Sequence, residues 1–116
     1  MTEILNTKYG LELVDGDKDL YKELLGYYIS DNLFDVKEFE DAVMKSNTDG
    51  ASYIHRIKGA SRQIAAECVA AKGQEIEDIL RGKAQGNIAP LLNDFVELYQ
   101  KTLGAVKAYL AQTEDN

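Results

Sequence analysis

From Ile88 to Leu110 the apolar pattern has the period of an α-helix. Ile88, Leu91, Phe95, Leu98, Thr102, Ala105 and Tyr109 follow one another at steps of three and four, and Leu92, Val96, Tyr99, Leu103, Val106 and Leu110 run beside them. At about 100° per residue these are two adjacent stripes on one helix, a face wide enough to touch two neighbours at once. The only proline, Pro90, falls in the first turn after Asn87, where its missing N–H costs nothing.

The rest of the chain reads the same way. A short helix is expected from Thr7 to Val14, ended by Asp15-Gly16, with Asp17 as the N-cap of the next. Tyr21, Leu25, Ile29, Leu33, Val36, Phe39 and Val43 then recur at helical spacing, which predicts one long helix from Lys18 to Ser46, bent near Gly26. Asn47-Thr48-Asp49-Gly50 reads as a turn with capping residues, where the His55 helix starts and runs to about Ala66. Val69, Gly73, Ile76 and Leu80 mark another, which stops between Gly82 and Gly86. The expected fold is all-α: an antiparallel four-helix bundle with a short extra N-terminal helix, one domain over residues 1–116.

Charge and composition exclude several functions. A net charge of −7 argues against nucleic acid and against an anionic membrane surface, both of which need clustered cations. No segment approaches the ~20 apolar residues of a membrane span. Met1 to Asn6 holds neither a basic nor an apolar stretch, so no secretory signal is expected and the location should be cytoplasmic, free or as the cytoplasmic module of a sensor kinase. The single cysteine, Cys68, cannot form an internal disulfide, and its phase places it on the core side of its helix as an inert buried thiol.

The chain also has one histidine, His55, in the run His55-Arg56-Ile57-Lys58-Gly59-Ala60. Tyr53, Ile54, Ile57, Ala60, Ser61, Ile64 and Cys68 cluster on one side of this helix, which turns His55 outward with Ala51, Ser52, Gly59 and Arg62 around it. These four are the candidate partner-binding residues. An outward imidazole that is partly neutral near pH 7 is a nucleophile. Lys58, one turn along, is placed to lean over a phosphorylated ring as a mobile charge. Gly59 costs about 1 kcal/mol in mid-helix relative to alanine, and at i+4 from His55 it keeps the approach open. Glu77, on the following helix, is the candidate orienter: a carboxylate accepting from Nδ1–H leaves Nε2 free to attack. A Tyr27/Tyr28 edge is a candidate addition to the docking surface.

The run from His55 to Ser61 resembles the signature of histidine-containing phosphotransfer (HPt) domains, His-x-(Leu/Ile)-Lys-Gly followed by small residues. Gly10-Leu11 through Leu25 is similar to the family's entry into its long second helix, and Ile76-Glu77 to the apolar-Glu pair that follows the histidine helix. One departure is Ala65-Ala66, where many members have Gly-Ala. The resemblance implies a monomeric phosphorelay intermediate. It would accept a phosphoryl group on His55 from the aspartate of a response-regulator receiver domain and hand it to another receiver aspartate. Lys58 and Gly59 would be the motif partners and Glu77 the residue behind the imidazole. No kinase activity or cofactor of its own is implied; Mg²⁺ belongs to the partner receiver, and a hybrid sensor histidine kinase feeds the relay.

Two other classes of function fit the sequence less well. A non-catalytic helical adaptor should have lost the histidine or Lys58-Gly59, and this chain keeps both. A carboxylate-bridged metal bundle needs Glu-x-x-His pairs on two helices, but there is one histidine and Ser52 stands three before it.

Overall fold

The computed structural model describes residues 3–31 and 34–114, without side chains for residues 113 and 114. Among these residues there are six helices and no strand: α1 (Thr7–Leu13), α2 (Lys18–Asp31), α3 (Val36–Lys45), α4 (Asn47–Gln63), α5 (Glu67–Leu80) and α6 (Ile88–Glu114). α4 packs against both α3 and α5, α5 against α6, and α2 against α6 and α4.

The long second helix of the sequence reading is two helices. α2 runs through Gly26 and ends at Asp31, and α3 starts afresh behind Asp35. Asp35 is extended at φ −122°, and its carboxylate accepts from the Glu38 N–H at 3.0 Å. What holds the break is tertiary. The Phe34 and Asp35 N–H groups donate to the Tyr99 and Tyr53 hydroxyls, each at 3.0 Å. The Phe34 ring lies edge-on to Phe95, centroids 4.9 Å apart. Two tyrosines and an aromatic cluster thus take the backbone groups and the side chain that a continuous helix would have used internally. Leu33, a member of the expected stripe, lies outside the described residues.

The expected turn at residues 47–50 is the first turn of α4. Ser46 caps it, accepting from the Asp49 N–H at 3.0 Å, and Gly50 is buried where a Cβ would run into Val43. α3 and α4 therefore cross closely at that glycine.

α4 also stops three residues earlier than expected. The Ala65 N–H reaches the Arg62 carbonyl at 3.1 Å and the Ala66 N–H reaches the Ser61 carbonyl at 2.9 Å, a Schellman closure. Ala65 sits in it at φ +64°, and Gly82 closes α5 in the same way at φ +78°. The left-handed corner costs an alanine about 1–2 kcal/mol that a glycine would not incur, and here the corner is tied down. The Tyr21 hydroxyl donates to the Ile64 carbonyl at 2.9 Å, and the Asn6 N–H to the Ala65 carbonyl at 3.1 Å. Cys68 consequently belongs to α5, half-buried, with its thiol 3.6 Å from the Glu3 carbonyl.

Three local expectations hold. Asp15 and Gly16 end α1 at positive φ, Asp17 caps α2 through the Leu20 N–H at 3.0 Å, and α6 begins at Ile88. Tyr21, Leu25, Ile54, Ile57, Ile76 and Phe95 are fully buried in the core, each contributing roughly 1.5–3 kcal/mol by leaving water. No described helix is long and apolar enough to cross a membrane.

Candidate functional site

α4 carries His55 eight residues from its start, and α5 lies alongside with Glu77 facing it. The helices come this close because Gly73 of α5 stands against α4. A Cβ at Gly73 would lie 3.3 Å from the Phe95 ring and 3.5 Å from the Lys58 Cβ. The imidazole is 58% exposed, whereas the Glu77 side chain behind it is 6% exposed.

Glu77 is the centre of the arrangement. Its Oε1 accepts from Lys58 Nζ at 2.7 Å and its Oε2 from Arg81 Nε at 2.7 Å. His55 Nδ1 lies 3.1 Å from Oε1 and 3.0 Å from Oε2. Burial alone would raise this carboxyl, but the hydrogen bonds from Lys58, Arg81 and His55 outweigh it and hold it at about 2. At neutral pH Glu77 is therefore ionised and can only accept, so the proton between it and the ring sits on Nδ1. That leaves the Nε2 lone pair free, and Nε2 has no partner among the described residues.

Lys58 differs from the expectation. It is buried, with its ammonium held by Glu77 and, at 2.9 Å, by the Gln74 side-chain carbonyl, whose amide donates to Asp78 at 2.8 Å. It is not a mobile charge over the ring, because α5 covers the side of α4 from which it projects. Ala51 is corrected as well. It is fully buried and cannot belong to a partner surface; it stands two turns before Lys58, on the side of α4 that α5 covers. Ser52 and Arg62 are exposed. Gly59 is half-buried, and a Cβ there would meet nothing within 4 Å. Of the tyrosine pair, Tyr27 is exposed at 54%, while Tyr28 is buried with its hydroxyl 2.8 Å from Ser61 Oγ.

Two members of the cluster, Gln74 and Arg81, were missed in the sequence. Their signal was present: with Glu77 they form a polar line on α5 at steps of three and four, beside the apolar stripe. Beyond them, Leu13, Val14 and Leu24 with Arg62 and Gln63 line an open notch of about 400 Å³, two turns along α4 from His55. No group of three His, Cys, Asp or Glu side chains able to hold a metal ion occurs among the described residues.

In comparisons with known proteins, no family model, no curated protein and no solved structure matches the chain.

Proposed function

We propose that this protein is a phosphorelay intermediate, accepting a phosphoryl group on His55 Nε2 from a receiver-domain aspartate and passing it to another. The observation that carries the reading is the pairing of an exposed imidazole with an ionised, buried carboxylate at Nδ1, which leaves Nε2 as the open nucleophile. The likeness of residues 55–61 to the HPt signature supports it independently.

The transfer needs no proton shuttle. The Nε2 lone pair forms the P–N bond while the bond from phosphorus to the donor carboxylate oxygen breaks, its electrons leaving with the aspartate. The ring then carries a positive charge with Nδ1–H still in place, and Glu77 lies against that charge at 3.0 Å. The reverse sequence delivers the group to the next aspartate. Mg²⁺ for the phosphoryl oxygens comes from the receiver. Lys58 acts from behind the ring: bound to Glu77 and Gln74, it offsets and holds the carboxylate that faces Nδ1. Gly59 leaves the receiver room to approach, and Ser52 and Arg62 lie on the contact face. The protein is a carrier without kinase activity, acting as a cytoplasmic monomer beneath a hybrid sensor histidine kinase.

Incubation with a phosphorylated receiver and Mg²⁺ should place an acid-labile, base-stable label on this chain, and His55→Gln should abolish it. Label persisting in that variant, or robust labelling by ATP alone, would overturn the reading.

A further inference from the structure

The Glu77 carboxylate has two oxygens and two side-chain cations, and the cations divide them. Lys58 takes Oε1 and Arg81 takes Oε2, both at 2.7 Å, and His55 Nδ1 faces the pair almost evenly at 3.1 and 3.0 Å. A carboxylate held by Lys58 alone would turn towards it, since a single 2.7 Å contact leaves rotation about the carboxylate's own bond free. The second contact fixes the plane. Arg81 is suited to that by its place in the fold. It is the C-cap of α5, with its backbone N–H on the Glu77 carbonyl at 2.9 Å, so its side chain starts one turn beyond the carboxylate it holds.

We infer that Arg81 is a positioning residue, which acts through Nε–H to fix the Glu77 carboxylate plane and thereby hold the His55 Nδ1–H tautomer. The inference rests on the phosphoryl-carrier reading for its consequence, but the geometry it describes exists in the protein alone. Arg81 touches neither the ring nor, in the proposed reaction, the phosphoryl group.

The bond runs through Nε and not through the outer guanidinium nitrogens, which separates direction from charge. Glutamine carries an N–H donor the same number of bonds from the backbone as arginine Nε, and no charge. Methionine fills similar space with no donor. If direction matters, Arg81→Gln keeps the function and Arg81→Met loses it. If Arg81 is only a second counter-ion for a buried carboxylate, the two variants fail alike.

The readout is the nitrogen-15 spectrum of the imidazole at neutral pH, which distinguishes Nδ1–H from Nε2–H and needs no partner or phosphoryl donor. We expect the wild type and Arg81→Gln to be dominated by Nδ1–H, and Arg81→Met to show a severalfold larger share of Nε2–H. Labelling by a phosphorylated receiver should fall about tenfold in Arg81→Met and stay within about twofold of wild type in Arg81→Gln. Unchanged tautomers in Arg81→Met, or equal tautomer loss in both variants, would overturn the inference. If Arg81→Met does not fold, Arg81→Gln alone decides, because a changed tautomer in that variant contradicts positioning through Nε. Tautomers that shift as expected in a protein that no receiver labels would leave the positioning role standing and remove the phosphoryl-carrier reading.

Discussion

Both oxygens of Glu77 lie within 3.1 Å of His55 Nδ1, although the carboxylate is buried and the imidazole is not. The site is thus a surface nucleophile standing on an interior ion cluster. Changes to the nucleophile should leave the fold alone, and changes to the cluster should not.

The first prediction concerns that cluster. Glu77→Ala would leave Lys58 buried with only the neutral Gln74 as partner, so it should cost about 3–5 kcal/mol of unfolding free energy. Adding Lys58→Met should return much of that loss, making the double variant more stable than Glu77→Ala alone. Urea melts of the four proteins in this cycle give the coupling; strict additivity would show that the pair contributes nothing.

Acid should expose the same carboxylate. Its folded value is about 2 against an ordinary 4.5, so between these values the unfolded chain binds the extra proton more readily. The Glu77 contribution to stability is complete above about pH 4.5, declines as pH falls, and is gone below about pH 2. The stability difference between wild type and Glu77→Gln should therefore shrink steadily across that window. A difference that is flat in pH would contradict the assignment.

The two glycines of α4 should respond in opposite ways. Gly59→Ala should stabilise by up to about 1 kcal/mol, since a Cβ there meets open space. Gly59→Leu should hold or raise the melting temperature while strongly reducing labelling by a phosphorylated receiver, with labelling by a small phosphoramidate much less affected. Gly50→Ala, whose Cβ would collide with Val43, should lose about 1–3 kcal/mol. An early melt for Gly59→Leu would mean that this face is covered.

Tyr21→Phe should cost about 1–2 kcal/mol by leaving the buried Ile64 carbonyl without its donor. Burial, with Tyr109 adding to it, raises the Tyr21 hydroxyl from 10.0 to about 12. The folded state therefore keeps this proton where the unfolded state has released it, and the contribution falls as pH rises from about 10 to about 12. The loss of stability in that range should be shallower in the phenylalanine variant, as followed by denaturant melts.

Local chemistry in the sequence determined the helical period, the caps at Asp17 and the start of α6, the outward His55 and its spacing from Glu77. Each of these depends on residues within a few turns of one another, or on the helical period itself. The break between α2 and α3 was partly written there too, since Asp35 and Glu38 have the spacing of a cap, but the apolar stripe running through them masked it. Only tertiary structure decided that Tyr53 and Tyr99 would take the backbone N–H groups at that break. It also buried Ala51, and it drew Lys58 under α5 beside Gly73. A helical wheel gives the direction in which a side chain leaves its own helix. Whether water, a carboxylate or another helix waits there depends on which helices pack against that face, and Lys58 became an interior counter-ion because α5 was the neighbour.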